Sequence, residues 1–375
     1  MGCILPSASA MTPAASHRDE TNPLPHTTIE QTARRYRVVQ WATGNVGRSA
    51  LRALIGHPTL TLVGVHTHSP DKVGTDAGRL CQLPTDTGIA ATGDIDEIIE
   101  LGADCVVYTP RVFDIDTVCR LLATGANIVT THGMFHHPAS MDHALYARVE
   151  AACWSGGASI HSTGHSPGFI TETMPIALGS IQRRLDRMLI DEYTDLTHSE
   201  TPWTLLGMGF GTSRATFEPH RLTQARRAIG PSLRSAADAF GPPLDAIEVR
   251  GELATANRDV QVGAAVFRKG TVVAQRITVS GTRCGQPLLQ FRSTRYCSAD
   301  ISTDWSLRPT GWHISVEGDT PLEVDLRPGE ASVQANAASP AYAANRAVNT
   351  IAHLCAAAPG IRTAIDLPPI AAALW

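Results

Sequence analysis

Residues 36–55 read YRVVQWATGNVGRSALRALI, and this stretch decides the fold. Residues 36–42 have the apolar run of a buried strand, and the segment after Gly47 has the apolar spacing of an amphipathic helix. Between them, Gly44 and Gly47 form a shortened Gly-x-x-Gly fingerprint, with Ala50 near the usual position of the third glycine. A glycine turn between a strand and a helix N-terminus predicts a site for the pyrophosphate of a dinucleotide.

Strands and helices alternate over residues 36–162, and the second strand is predicted at Leu60–His66. Such alternation is typical of a parallel sheet with helices on both faces. After Gly168 we expect helices at residues 170–183 and 216–240. Strand-like runs without intervening helices then occupy residues 187–196, 246–254, 261–267, 271–282, 288–296, 311–316 and 322–326. Consecutive strands of this kind indicate a mostly antiparallel sheet.

The predicted fold class is therefore α/β, a Rossmann-type doubly wound parallel sheet plus a second α+β domain with a mostly antiparallel sheet. We expect a disordered extension at residues 1–34, a dinucleotide-binding domain at 35–165 and a second domain at 166–338. The carboxyl-terminal segment, residues 339–375, includes an apolar helix near residues 340–357 and is expected to return to the dinucleotide-binding domain.

The composition excludes several classes of partner. The chain has 375 residues and a formal net charge of −4, which gives no indication of nucleic acid or an anionic membrane as a partner. Eight cysteines are scattered without a Cys-x-x-Cys pair, which favours reduced thiols and a cytoplasmic location. Lys72 and Lys269 are the only lysines, so they are the only candidates for any lysine chemistry.

Ligands of open α/β sheets bind beyond the carboxyl ends of the strands, so the residues after each predicted strand are candidate cofactor contacts. At the end of the second strand an NAD site usually has Asp or Glu, whereas this chain has His66, followed by Ser69 and Lys72. Such donors favour a 2′-phosphate and predict NADP, with NAD as the alternative because Asp71 is close. The predicted cofactor-binding residues are Thr43, Gly44, Asn45, Val46, Gly47, His66, Ser69, Lys72, Thr109, Pro110, Arg111 and Thr131.

Histidines follow the later strands. His132 and His165 lie beyond neighbouring predicted strands and are the candidate catalytic residues, since either could exchange the proton that accompanies hydride transfer. We expect their side chains to converge at the nicotinamide. A zinc site with His132 and His136, or with His161 and His165, is an alternative, but the short-spaced ligand sets typical of zinc are absent and no metal is predicted. His161, inside a strand, is predicted to be a packed core residue.

Candidate substrate contacts lie further along the chain. Residues 164–169, GHSPGF, pass from a strand into a helix whose N-terminus could hold an anionic or carbonyl group. On the next strand, alternation places Tyr193 and Asp195 on one face and Glu192 and Thr194 on the other. One face is expected to line the cleft between the domains, where carboxylates would suit an amine. The predicted substrate-binding residues are Met134, Ser166, Phe169, Thr194 and Trp203, with Phe135 as a further candidate wall.

Several motifs carry a resemblance to a known family. They are WATGNVGR at residues 41–48, HPTLTLVGV at 57–65, DCVVY at 104–108, GHSPGF at 164–169, MGFG at 208–211, AAPG at 357–360 and DLP at 366–368. With them, residues 36–370 resemble the actinobacterial dihydrodipicolinate-reductase-like proteins, which are similar to 2,4-diaminopentanoate dehydrogenase and to native amine dehydrogenases. The resemblance implies a Rossmann domain, a second domain for substrate binding and dimerisation, an NAD(P)H cofactor and a homodimer. It implies oxidation of an amine to a carbonyl and ammonia, or the reverse reductive amination.

The chain departs from its relatives at one loop. Dihydrodipicolinate reductases carry His-His-x-x-Lys, whereas His136 and His137 are followed by Pro, Ala and Ser, so that activity is not expected. The amine dehydrogenases carry a catalytic glutamate in the loop after the fifth strand, where residues 132–137 read HGMFHH and hold no carboxylate.

The sequence thus predicts an NADP-dependent oxidoreductase that reduces a C=N or C=O bond of a small amine or carbonyl substrate at the domain interface. The alternatives are a non-catalytic NAD(P)-binding protein, a histidine-bound metal hydrolase and a redox-responsive regulator. The last would need a reactive thiol, for which Cys81 in a predicted loop is the candidate.

Overall fold

The structure is a computed structural model that describes residues 35–213, 217–241, 243–329 and 338–373. The disordered extension predicted at residues 1–34 lies outside the described residues. No helix among those described is both long and apolar enough to cross a membrane.

The first sheet has seven strands, and all of its pairings are parallel. They are β1 (Tyr36–Trp41), β2 (Leu60–His66), β3 (Ala91–Thr92), β4 (Cys105–Tyr108), β5 (Asn127–Thr130), β6 (Ser159–Ser162) and β15 (Gly360–Arg362). Their order across the sheet is β15-β6-β5-β4-β1-β2-β3. The chain starts at the centre with β1 and winds outward in both directions, so the carboxyl ends of β1, β4, β5 and β6 lie side by side.

Helices cover both faces of this sheet. They are α1 (Asn45–Leu54), α2 (Ala77–Leu80), α3 (Ile95–Glu100), α4 (Ile115–Ala123), α5 (His143–Gly156) and α9 (Ala338–Cys355). On one face α9 packs against α1, with Ala347 and Ile351 in the same apolar cluster as Leu51. On the other face α4 and α5 bury Leu121 and Val149. As predicted, the carboxylate of Asp94 caps α3 by accepting a hydrogen bond from the Asp96 backbone amide.

The second sheet is mixed, with one parallel pairing between β7 and β12 and four antiparallel ones. Its order is β14-β13-β7-β12-β11-β8, and a separate hairpin joins β9 to β10. The bounds are β7 (Leu185–Asp195), β8 (Ala246–Thr255), β9 (Val260–Val262), β10 (Ala265–Phe267), β11 (Val272–Arg283), β12 (Gln286–Tyr296), β13 (Gly311–Gly318) and β14 (Leu322–Leu326), with helices α6 (Met174–Gly179), α7 (Pro202–Gly207) and α8 (Pro219–Phe240). Helix α8 packs Leu233 against Ile190 and Phe291 of this sheet. The predicted fold class is confirmed.

Two predicted elements differ from the structure, and one strand was not predicted. Residues 261–267 form the β9–β10 hairpin instead of one strand, because Gly263 has a φ of +52° and turns the chain. The helix predicted at 170–183 is a wide helical turn over His165–Thr173 followed by the short α6, since Pro167 and Gly168 have non-helical backbone angles. The seventh parallel strand, β15, was not predicted, because three residues are too few to show a strand pattern.

Candidate functional site

The turn between β1 and α1 contains a complete three-position fingerprint rather than the shortened one. Ala42 has a φ of +72° and occupies the place of the first glycine, in a left-handed conformation that costs a non-glycine residue about 1–2 kcal/mol. Gly44 is the second position. Gly47 is the third, because a Cβ there would lie 2.1 Å from the Ala42 carbonyl oxygen. The sequence-based assignment of Ala50 to the third position was wrong, since Ala50 is a fully buried core residue one turn further on.

The N-terminus of α1 fits an anionic ligand. A Cβ on Gly44 would meet no atom within 4 Å, so the turn is open on that side. Gly44 is the N-cap and has no side-chain cap, and no acidic residue lies in the first turn of the helix. The Lys72 ammonium lies 3.3 Å from the Thr43 hydroxyl, at the edge of the same turn. Free amide groups, the helix dipole and one cation therefore face the open space where a pyrophosphate binds in this fold.

His66, at the carboxyl end of β2, belongs to the core. Its ring stacks on Trp41 with 3.6 Å between ring centroids, and its Nε2 donates a hydrogen bond to the Gly93 carbonyl. Burial lowers the pKa of His66 to about 4, so the ring is neutral at pH 7. The His66 side chain therefore carries no positive charge at pH 7, and its contact with the cofactor stays a prediction. Ser69, in the following loop, is half-buried.

The ends of β4 and β5 meet at His132. Its Nε2 donates a hydrogen bond of 2.7 Å to the Pro110 carbonyl, so Nδ1 carries the lone pair of the neutral ring. Burial lowers the pKa of His132, against a smaller opposing effect of that carbonyl. Beside it, the Thr109 hydroxyl accepts a hydrogen bond from Gln40, whereas Arg111 is exposed. His132 therefore lies at the carboxyl ends of the parallel strands, where its Nδ1 can accept a proton.

His165 follows β6 and faces the second sheet. Its ring lies 5.7 Å from that of Trp312 on β13, and its Nε2 is 3.3 Å from the Ser339 hydroxyl. Burial lowers the pKa of His165, and the carboxylate of Glu192 opposes that shift. No hydrogen bond or ring contact among the described residues joins His165 to His132, and the convergence of their side chains at the nicotinamide stays a prediction.

Two adjacent cavities lie against the second sheet, where His165 and Ser166 of the segment after β6 meet it, and we call them the junction cavities. The first has a volume of about 340 Å³ and the second of about 290 Å³. Both are lined by Glu192 and Arg295. The first also touches Ser166, Phe217, Arg221, Gln224, Ala225, Ala228, Ile229, Gln275, Ile277, Val279, Phe291 and Ser293. The second touches His165, Tyr193, Thr194, Asp195, Leu196, Met208, Thr310, Gly311, Trp312, Pro328 and Ser339.

Glu192 is the side chain that the sequence analysis did not select. Its Oε2 accepts a hydrogen bond of 2.9 Å from the Trp312 indole, and its Oε1 accepts one of 3.3 Å from the Ser293 hydroxyl. The alternation along β7 predicted that one face would line the cleft, whereas residues of both faces line the second junction cavity: Glu192 and Thr194 from one face, and Tyr193 and Asp195 from the other. The sequence contained a signal for Glu192, because within residues 191–195 it is the only carboxylate on the face that it shares with Thr194.

Other predicted substrate contacts are dispersed. Ser166 lines the first junction cavity, and Phe169 lines a neighbouring cavity of about 350 Å³ that also touches His165 and Trp312. Phe135 is fully buried and Met134 packs in the same apolar cluster.

Trp203 and Cys81 lie in different surroundings. Trp203 is 80% exposed and lines neither junction cavity, because α7 buries the opposite side of the helix through Pro202 and Leu205. Cys81, the candidate thiol for a redox-responsive regulator, is fully buried, and burial raises its pKa. Its thiol is therefore shielded from oxidants.

One histidine and one carboxylate are in close contact in the core. His136 Nδ1 is 2.6 Å from Glu172 Oε1, and both side chains are almost fully buried. Burial raises the pKa of Glu172, and His136 opposes the shift. His161 is a packed core residue whose Nδ1 donates to the Arg362 carbonyl at 2.7 Å. Among the described residues, no three His, Cys, Asp or Glu side chains group as metal ligands.

Comparison with known proteins gives the family. No family model matches the chain. An amine dehydrogenase of Streptomyces virginiae is 30% identical over 352 residues, which cover 88% of this chain and 95% of that protein. The solved amine dehydrogenase of Mycobacterium smegmatis shares the fold, with a TM-score of 0.69 at 20% identity over 90% of this chain and 97% of that chain. The chain therefore belongs to the amine dehydrogenase family, and it is an NAD(P)-dependent oxidoreductase.

Proposed function

We propose that this protein interconverts an amine with a carbonyl compound and ammonia, using NADP, and that the reaction takes place at the junction cavities. The observation that carries the proposal is that His165 and Ser166, in the segment after β6, line cavities that are also lined by the second sheet and, in the first cavity, by α8. A substrate there would lie beside the sheet edge at which α/β folds bind nicotinamide. The Streptomyces relative, named an amine dehydrogenase, supports an amine as the substrate.

The cofactor would be held by this chain's own backbone and one lysine. The amides of residues 44–47 would bind the pyrophosphate, because the turn is open at Gly44 and uncapped. Lys72 and Ser69 would bind the 2′-phosphate that distinguishes NADP from NAD. When bound, the nicotinamide supplies a hydride for reductive amination and accepts one in amine oxidation.

A histidine would exchange the proton. His132 is the first candidate, because its Nε2 is committed to the Pro110 carbonyl and leaves the Nδ1 lone pair available. The lowered pKa keeps that lone pair unprotonated at neutral pH. His165 is the second candidate, since it lines the second junction cavity.

Isotope transfer tests the proposal. The purified chain is incubated with NADPH deuterated at the reactive carbon, ammonium and a panel of small ketones, aldehydes and oxo acids, and the amines formed are analysed by mass spectrometry. We expect deuterium at the carbon that carries nitrogen in at least one product. Binding of NADPH without transfer to any member of the panel would instead indicate a non-catalytic nucleotide-binding protein.

Histidine variants test the proton exchange. We expect His132→Ala to abolish turnover while NADPH affinity stays within about threefold, because no cofactor-binding group is removed. His143→Ala, at an exposed position at the start of α5, is the control and should match the wild type. An unchanged rate for His132→Ala together with a large loss for His165→Ala would transfer the role to His165.

We propose that the chain consists of a dinucleotide-binding domain at residues 35–165, a second domain at 166–338 and a segment at 339–375 that returns to the first domain. The resemblance also supports a homodimer formed through the second domain. Sedimentation velocity of the purified chain tests whether it dimerises. A monomer at micromolar concentration would contradict the homodimer.

A further inference from the structure

Two opposite charges lie on one face of the second sheet. Glu192 on β7 is in register with Ser293 on β12, and Arg295 is in register with Thr194. Residues in register share a face of the sheet, and so do residues two positions apart on one strand. Glu192 and Arg295 are therefore diagonal neighbours on the same face, with backbones about 8 Å apart from strand spacing and rise. Both line the two junction cavities.

These two charges do not pair with each other. The Glu192 carboxylate is held by Trp312 and Ser293, both neutral donors. Within the part of the chain that the structure describes, the guanidinium group of Arg295 makes no ion pair and no hydrogen bond. By contrast Arg292, three residues earlier and on the opposite face, binds Asp191 through two nitrogens. The cleft thus presents one carboxylate and one guanidinium, each still able to bind a ligand of opposite charge.

The rest of the first junction cavity combines an apolar wall with unused polar atoms. Ile277, Val279 and Phe291 continue the same sheet face, and α8 closes the cavity opposite them. The amide nitrogen of Gln275, which is 4% exposed, donates to the Met208 carbonyl, but its Oε1 has no partner. The buried Ser166 hydroxyl also has none. Buried polar atoms without partners are costly, so a bound molecule with its own donors would satisfy them.

We propose that the substrate is an amino carboxylate with an apolar side chain, and that Glu192 binds its ammonium group while Arg295 binds its carboxylate. This inference rests on the proposed function. Glu192 then supplies, from the second sheet, the negative charge that the loop at residues 132–137 lacks. Arg295 makes the site selective for amines that carry an anion, and the wall formed by Ile277, Val279 and Phe291 receives the side chain. Arginine suits this role because its fork binds a carboxylate through two hydrogen bonds.

The test compares 2-oxo acids that have branched apolar side chains with methyl ketones of the same carbon skeleton, each with ammonium and NADPH. We expect the oxo acid to have the higher kcat/KM by roughly 10- to 100-fold, the effect of a charge-assisted pair of hydrogen bonds. Arg295→Gln should remove this preference by lowering kcat/KM for the oxo acid alone, and Arg295→Lys should restore part of it. Glu192→Gln should lower kcat/KM for both substrates and leave NADPH affinity unchanged.

The control is Arg250→Gln, which changes an exposed arginine on the opposite face of the same sheet and should leave both substrates unaffected. Turnover of the methyl ketone as efficient as that of the oxo acid would overturn the inference and leave the proposed function standing. So would an Arg295→Gln variant whose defect is in the KM for NADPH. Absence of turnover with every carbonyl compound, despite cofactor binding, would reject the proposed function and this inference with it.

Discussion

Replacing Gly44 by alanine separates cofactor binding from folding. Gly44 has backbone angles of −72° and −166°, which alanine adopts without strain, and its Cβ would meet no protein atom within 4 Å. The same Cβ would enter the open space in front of the α1 amides, where the pyrophosphate is proposed to bind. Gly44→Ala should therefore weaken the binding of NADPH and NADH without disturbing the fold.

The two effects have different sizes. At an N-cap, glycine to alanine costs about 0.5–1 kcal/mol of stability, which for a chain of this length corresponds to a Tm lower by about 1 °C. Each charge-assisted hydrogen bond lost to the pyrophosphate costs about 1.5–3 kcal/mol, so cofactor affinity should fall by roughly 10- to 150-fold. For Gly47→Ala we expect the loss of stability to be the larger of the two effects, because a Cβ there would lie 2.1 Å from the Ala42 carbonyl oxygen. Overpacking of this kind destabilises by about 1–3 kcal/mol or more.

Cofactor affinity is measured by titration of nicotinamide fluorescence or by calorimetry, and Tm by differential scanning fluorimetry. Gly207→Ala is the matched control, since a Cβ there also meets nothing within 4 Å and the residue lies in α7, away from the turn. It should leave both quantities unchanged. The reasoning is refuted if Gly44→Ala binds NADPH and NADH as tightly as the wild type does.

Two further predictions concern the cofactor and acid stability. Lys72→Met should weaken NADPH binding by roughly 10- to 100-fold and NADH binding by less than about threefold. Lys269→Met is the control and should change neither affinity. Equal losses for both cofactors would indicate that Lys72 binds the pyrophosphate instead of the 2′-phosphate. Burial lowers the pKa of His161 to about 4 from the usual 6.5, so its contribution to folding is fully present above pH 6.5 and is lost as the pH falls toward 4. That loss amounts to about 2.5 kcal/mol between pH 7.5 and 4.5. His161→Asn keeps a donor for the Arg362 carbonyl and should remove this part of the acid sensitivity in urea unfolding, and an unchanged pH dependence would contradict the assignment.

The parallel sheet could be predicted because its signals are local. The apolar run of β1, the glycine turn and the apolar spacing of α1 lie within 20 residues, and the Asp94 cap marks the start of α3. Signals were missing where an element depends on distant residues. Gly360–Arg362 becomes a strand only because β6 offers it an edge, and nothing in three residues shows this.

The candidate site was harder to predict for the same reason. Strand alternation placed Glu192 and Thr194 on one face, but the pairing of β7 with β12, which brings Arg295 beside them, joins residues about a hundred positions apart in sequence. The sequence position of a histidine after a strand also does not show whether its side chain faces solvent or the core. His66 stacks beneath Trp41 in the core, whereas His132 lies at the sheet edge.

A crystal structure of the complex with NADP is the most direct test of the central claim. The account predicts the pyrophosphate within hydrogen-bond distance of the backbone amides after Thr43, and the nicotinamide at the junction cavities, between His132 and the second sheet. A dinucleotide bound elsewhere on the chain, with the α1 N-terminus facing only solvent, would contradict it.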